Sequence, residues 1–308
     1  MTDVIIVGGA SIDIQGFSRN KLIYRDSNIG SLNISLGGVG RNIGENLVKL
    51  GVSTKLISVI GDDIYGKEIF DEANSTGLDM KDSLILKGKD TSTYLSITDE
   101  RGDMALAISS MDIYDNMNVE FIEKKRDIIE DAKICIVDTN IPKEVIEYMV
   151  FNFKNVKFFL DTVSTAKTAK VKDIIGSFNT IKPNKLEVEI LTGIKILSND
   201  DLVKSANYLH DKGVNGVFIT LGKDGVFYSD GAIRGRIESP NIEIINATGA
   251  GDAFVAALAY GYLNNIDIEE TARIGMAASV IALSHKNTIN PNMSIEKIKF
   301  IMEEIVRC

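Results

Sequence analysis

Short apolar runs at residues 4–7, 134–138, 158–161 and 217–220 set the strongest limit on how this chain can fold. The first is continuous and stops at Gly8-Gly9, which is the pattern of a strand buried on both faces. Helical patterns at 143–151, 165–175 and 200–211 separate the later runs. A further strand is expected at 53–60, and another, short one ends at Ile181-Lys182-Pro183-Asn184. Strand, helix, strand repeated over this length predicts an α/β fold, with a mostly parallel central sheet covered by helices on both faces. The tail places Ile295, Ile298, Met302 and Ile305 on one face of a packing helix.

Two segments break that rhythm. Residues 14–36 are polar and β-rich, and Asp26-Ser27-Asn28-Ile29-Gly30 interrupts them. At 90–110, Thr93, Leu95 and Ile97 alternate on one face of a strand. Met104, Leu106 and Ile108 do so on the next, across the turn Asp99-Glu100-Arg101-Gly102. The two insertions predict a small four-stranded sheet, a candidate lid through which a homodimer could also form. With 308 residues and no Pro/Gly/Ser-rich linker, the expectation is one domain, 1–308, carrying a lid subdomain from about 14–36 and 90–110.

Composition excludes several classes. A net charge of −9 opposes nucleic-acid or anionic-membrane partners. The two cysteines, Cys135 in an apolar run and Cys308 at the end, have no zinc or disulfide spacing, and His210 and His285 are the only histidines. The first residues lack a basic leader, and no run approaches the ~20 apolar residues of a membrane helix. A cytoplasmic, soluble protein is expected.

The chemistry concentrates at Asn246-Ala247-Thr248-Gly249-Ala250-Gly251-Asp252-Ala253-Phe254. The apolar residues 242–245 predict a strand leading in, and a small-residue helix over 251–263 leads out. A Gly-rich turn opening a helix binds anions through free N–H groups and the helix dipole. Asp252 can be a capping residue, or it can accept a proton from an alcohol attacking a bound phosphate. Leu36-Gly37-Gly38-Val39-Gly40-Arg41-Asn42 opens a second helix but has one residue too many for a dinucleotide fingerprint. Its bare backbone instead suits a polyhydroxylated ligand. Gly61-Asp62-Asp63-Ile64-Tyr65-Gly66-Lys67-Glu68 imitates a P-loop, yet Glu68 stands where magnesium needs Ser or Thr, so a helix-opening turn is expected. Asp13, on the continuation of the first strand, is either a ligand-binding acid at a strand end or a turn residue. Asn184 and Glu187 read as a capping box, or as polar groups sharing one helical face. Thr220-Leu221-Gly222-Lys223-Asp224-Gly225 is a turn after a strand.

Taken in order, Asp13, Gly37-Gly38 with Asn42, Asn184-x-x-Glu187, Thr220-x-Gly222-x-x-Gly225 and Thr248-Gly249-Ala250-Gly251-Asp252 resemble the ribokinase-like (PfkB-type) carbohydrate and nucleoside kinases over nearly the whole chain. Residues 12–16, 26–30, 37–43, 111–115 and 161–167 are most similar to the pseudouridine kinase subgroup. The resemblance implies ATP-dependent phosphorylation of the 5′-hydroxyl of a C-glycosidic nucleoside. Asp252 would be the general base and Gly249, Ala250 and Gly251 the anion hole. Asp13, Gly38 and Asn42 would bind the ribose, with Ser27, Asn28, Ser164 and Lys167 as candidates for the base. Lys167 reads equally as a solvated helix lysine. Asn184 and Glu187 would position Mg²⁺ and phosphate through water, and Thr220, Gly222 and Gly225 would line the ATP side. Relatives carry Asp where this chain has Asn246, and that Asp helps form a monovalent-cation site, so a cation requirement is left open. The alternatives are a kinase for ribose, fructose or adenosine, or a nucleoside-binding regulator without catalysis.

Overall fold

The apolar runs pair with one another into one large sheet. The computed structural model describes residues 2–307, so Cys308 lies outside the described residues. In chain order the strands are β1 (Val4–Val7), β2 (Ser11–Ser18), β3 (Gly30–Gly37), β4 (Thr54–Ile57), β5 (Val59–Gly61), β6 (Leu84–Leu86), β7 (Thr93–Thr98) and β8 (Met104–Ser110). Then come β9 (Ile134–Asp138), β10 (Lys157–Asp161), β11 (Thr180–Ile181), β12 (Gly216–Thr220), β13 (Val226–Ser229) and β14 (Arg234–Ile237). The helices are α1 (Val39–Lys49), α2 (Ile64–Thr76), α3 (Val119–Glu123), α4 (Arg126–Glu130), α5 (Lys143–Asn152) and α6 (Thr165–Thr168). After them follow α7 (Lys185–Thr192), α8 (Asn199–Lys212), α9 (Ala250–Leu263), α10 (Ile268–Leu283) and α11 (Ile295–Arg307).

The large sheet has the order β14-β13-β12-β11-β10-β9-β1-β4. It is parallel from β4 to β12, and β13 and β14 close it as an antiparallel edge. Alternation sorts its side chains into two layers. Ile5, Val7, Cys135 and Val137 pack with α5, α7 and α8. Val4, Ile6, Ile134 and Ile136 pack with α1, α2, α9 and α10. Each such aliphatic side chain contributes about 1.5–3 kcal/mol by leaving water, which is why the central strands read as unbroken apolar runs. In the tail, α11 lays Ile298 against α9 and α10, while the side chain of Ile305 lies outside the described ones.

The two insertions meet in a second sheet of order β3-β2-β7-β8. β2 pairs antiparallel with β3 and parallel with β7, setting Asp13 opposite Ser35 and Gly16 opposite Leu32 and Ile97. The pleat therefore puts Asp13 on one face, and Leu32, Ile97 and Leu106 on the other. That second face is open: Leu32 is 73% and Leu106 55% exposed.

Several local expectations are corrected. The run 53–60 breaks at Ser58: β4 joins the large sheet, while β5 pairs with β6 in a separate ladder. β1 ends at Val7, so Asp13 belongs to the small sheet and not to a central strand. Residues 165–175 start as α6 and continue as a 3₁₀ segment to Ser177. Residues 242–245 form no strand. They run as a loop in which Ile245 N–H donates to the Leu283 carbonyl, and Ile244 and Ile245 stay exposed. The P-loop imitation is a helix cap: Asp63 accepts from Gly66 N–H at 2.8 Å and from Thr91.

Gly275 of α10 faces the Phe254 ring, and a Cβ there would stand 2.8 Å from ring carbons. Gly275→Val should therefore overpack the α9–α10 seam and lower stability by about 1–3 kcal/mol. A urea midpoint equal to that of the unsubstituted protein would contradict this packing.

Candidate active site

Asp252 is the third residue of α9, and Gly249 is the N-cap, at φ 86°. A side chain at Gly249 would have to adopt a left-handed backbone and would collide with the Thr288 carbonyl. The N–H groups of this first turn have no partner inside the helix. Asp252 is buried, and its Oδ2 accepts from Asn42 Nδ2 of α1 at 2.8 Å. Burial, followed by the nearby Asp161, pushes its carboxyl up to about 7, with the Asn42 donation and Lys182 pulling the other way. A carboxyl titrating near neutrality suits a general base.

Lys182, just past β11, is buried with Nζ 3.3 Å from Asp161 Oδ2. A Cβ at Gly251 would lie 3.3 Å from the same Nζ, so the ammonium stands at the start of α9. Burial pulls its pKa down, but Asp161, Glu187 and Asp252 together outweigh this and hold the group charged. Three elements thus bring one cation and several carboxylates to one point.

Asn42 is tied through Arg41 to the root of the small sheet. Asp13 is crowded against Gly37. Burial raises its carboxyl to about 6, against the lowering effect of Arg41. Gly38 is the N-cap of α1 at φ 93°, and a Cβ there would stand 2.6 Å from the Gly9 carbonyl. Its lack of a side chain therefore serves the packing of α1 on the β1–β2 link as well as any ligand. Asp138, fully buried at the end of β9, accepts from Gly9 N–H at 2.7 Å and Asn140 N–H at 2.8 Å. Lys167 is half-buried: its ammonium donates to the Asn140 carboxamide and lies 3.3 Å from Met111 Sδ. Burial lowers its pKa, so it is not a solvated helix lysine. Ser164, half-buried, stands at the N-cap of α6.

Ser27 and Asn28 are arranged differently. Both are exposed, and the Asn28 carboxamide both accepts from and donates to the Ile23 backbone. Asn28 lines a groove with Leu32, Leu95 and Leu106, on the face opposite Asp13.

Asn184, Thr220, Gly222 and Gly225 do come together with Ala250 and Gly251, around a cavity of about 710 Å³. That is within the usual range of small-molecule sites. Thr220 N–H donates to the Pro183 carbonyl at 3.0 Å, which ties the two motifs by their backbones. Asn184 and Glu187 form the expected capping box. Glu187 Oε2 accepts from Asn184 N–H at 2.8 Å and from Thr162 Oγ1 at 2.7 Å.

Sequence reasoning missed Asp138, Asn140, Asp161 and Lys182. The signal for the two acids was available: each ends a buried parallel strand, the position where open α/β sheets bind ligands. That rule was applied to Asp13, which reaches the site from another sheet. Lys182 carried no signal, because a lysine before proline reads as exposed.

The chain belongs to the pfkB family of carbohydrate kinases, whose sequence profile matches residues 1–295. It is 38% identical to the pseudouridine kinase of Escherichia coli (strain K12) over 301 residues, covering 97% of this chain and 96% of that one. A candidate sugar kinase from Clostridium perfringens superposes with a TM-score of 0.89 at 41% identity, over 99% of this chain and 96% of that one. An Arabidopsis thaliana ribokinase, solved with ribose and ATP, shares the fold with a TM-score of 0.88 at 21% identity, over 98% and 99% of the two chains. The chain is an ATP-dependent kinase acting on a hydroxyl group. Among the described residues no helix is long and apolar enough to cross a membrane.

Asp252→Asn should fold, since the amide is a good residue near a helix start, but should lose roughly 10²–10⁴-fold in turnover. It also removes a pH effect. A carboxyl raised from 3.8 to about 7 contributes stability below pH 4 that is lost as pH rises through 7. The Asn variant should therefore melt higher than the unsubstituted protein at pH 8, and the gap should close towards pH 4. Near-normal turnover, or no gap at pH 8, would remove Asp252 from this role.

Proposed function

We propose that the protein transfers the γ-phosphoryl group of ATP to the 5′-hydroxyl of pseudouridine. The relationship to a pseudouridine kinase along almost the full length of both chains carries the choice of substrate. The position of Asp252, between the Asp13–Asn42 side and the cavity beside Gly251, supports the chemistry.

The nucleoside sits with its ribose diol on Asp13 and Asn42 and its base towards Ser164 and Lys167. Lys167 and its Asn140 partner offer one donor and one acceptor. Ser27 and Asn28 reach the base only if their loop gives up its internal hydrogen bonds. ATP occupies the 710 Å³ cavity, against Thr220, Gly222 and Gly225. Asp252 takes the proton of the attacking hydroxyl as the new O–P bond forms and the bond from the γ-phosphorus to the bridging oxygen breaks, leaving ADP. The N–H groups at residues 249–251 and the Lys182 ammonium face the phosphoryl oxygens, where negative charge is greatest. The small sheet excludes water as a competing acceptor.

Magnesium, when bound with the nucleotide, would neutralise phosphate charge. Glu187 fits a contact to it through water. Its carboxylate is held by Thr162 and Asn184, and among the described residues no three acids, histidines or cysteines are grouped to hold an ion by themselves. A monovalent cation does not fit beside Asn246. The carboxamide already accepts from Thr248 N–H at 2.9 Å and donates to the Lys286 carbonyl at 3.0 Å, and it brings no charge.

The substrate reading is decided by steady-state assays run side by side. Pseudouridine carries an extra ring N–H, and a site with an acceptor for it leaves that acceptor unpaired when uridine binds. Pseudouridine should show at least ~10-fold higher kcat/KM than uridine, and ribose and fructose should be poor substrates. Equal activity on uridine, adenosine or a free sugar would replace the substrate and keep the kinase.

The open apolar face of the small sheet pairs with the same face of a second copy. Leu32→Lys combined with Leu106→Lys should convert a dimer to a monomer in light scattering. A parent protein that is already monomeric at micromolar concentration would defeat the dimer.

A further inference from the structure

Arg41 is the third residue of α1 and is buried, although its position in the sequence looks like an ordinary helix cation. Its guanidinium makes three contacts inside the protein. One nitrogen, Nη2, pairs with Glu45 one turn on. The other, Nη1, donates at 3.2 Å to the Leu36 carbonyl at the end of β3 and at 3.2 Å to Asn42 Oδ1. The backbone N–H of Arg41 donates to the Gly9 carbonyl at 3.0 Å, so the residue is held at both ends.

The bond to Asn42 decides how that carboxamide points. An amide can turn over and exchange its oxygen for its NH₂, whereas a guanidinium can only donate. With Arg41 against one end, the oxygen must face Arg41 and the NH₂ must face Asp252, as the 2.8 Å bond to Oδ2 records. The reversed amide would set its oxygen against the carboxylate, two acceptors without a proton between them. The Asn42 backbone adds a second anchor, because Asn46 Nδ2 donates to its carbonyl at 2.8 Å.

We propose that Arg41 is a positioning residue for phosphoryl transfer, which acts through Asn42 to keep an NH₂ donor on one oxygen of the base Asp252 and so leaves its other oxygen for the substrate hydroxyl. Glu45 in turn orients Arg41, and the same guanidinium lies near Asp13 on the ribose side. The groups facing Asp252 from the other elements are Asp138 of β9, Asp161 of β10 and Lys182 after β11. None of these changes when Arg41 is replaced, whereas Asp13 loses a lowering neighbour; a limb that moves by the same amount in an Asp13→Asn background therefore reports the Asn42 amide.

The inference rests on Asp252 as the base, and Asp252→Asn, assayed in parallel, shows separately whether that holds. Arg41→Met alone would leave the buried Glu45 carboxylate with only Lys49, 3.9 Å away, and could unfold the protein. The informative variant therefore combines Arg41→Met with Glu45→Gln, and melting checks its fold. Assayed with ATP and pseudouridine, or with the best nucleoside found if pseudouridine is not turned over, it should move the acid limb of kcat up by roughly one pH unit. Turnover at pH 6 should fall roughly tenfold, and the KM for ATP should stay within about twofold. Arg41→Lys keeps a cationic donor and should keep the limb in place. An unmoved limb in the folded double variant, or a limb displaced as far by Arg41→Lys, would overturn the proposal.

Discussion

One hydrogen bond joins the two halves of this molecule's chemistry: Asn42 Nδ2 to Asp252 Oδ2, across 210 residues of sequence. It exists only because α1 and α9 pack side by side on the same layer of the large sheet. Both helices begin at a glycine in a left-handed backbone, Gly38 and Gly249, and each glycine is pressed against another chain segment where a side chain has no room. The two helix starts are therefore fixed by backbone sterics before any side chain interacts. The carboxamide and the carboxylate meet as a result.

Around that bond the site holds opposed charges out of water. Desolvation alone would neutralise both Asp252 and Lys182, each at the expense of the other's partner. Lys182 stays charged because Asp161, Glu187 and Asp252 surround it, and Asp252 is held near neutrality because one cation and one amide offset two neighbouring acids. A proton acceptor poised in this way exchanges its proton readily at physiological pH. An exposed carboxylate would be too weak a base, and a fully desolvated one without the lysine would stay protonated.

What could be read beforehand followed from periodicity and from local turns. The two-layer parallel sheet was visible because strands buried on both faces must be apolar throughout, and the small sheet because its strands alternate. The glycine-led start of α9 was visible because its geometry allows few other residues. The loop over 242–245 was not, since four apolar residues fit a strand equally well, and only tertiary contacts show that the sheet ends at β14. Lys182, Asp138 and Asp161 were hidden for a related reason: a charged residue reads as surface unless its partners are known, and those partners lie on separate strands. Asn28 shows the opposite limit, since a polar residue in a loop can spend its hydrogen bonds on the loop itself.

The order of the elements along the chain has a consequence for synthesis. Asp13 and Asn42 leave the ribosome early, and β1 gains its second neighbour only when β9 has emerged. Asp252 follows more than a hundred residues later on α9, and the segment that closes over Gly249, around Thr288, comes later still. A nascent chain that has already paired β1 with β4 and β9 therefore still lacks Asp252 and the glycine-led start of α9. The Asn42–Asp252 bond is made in one late step, when α9 docks against a helix that has been waiting since the first fifty residues were made.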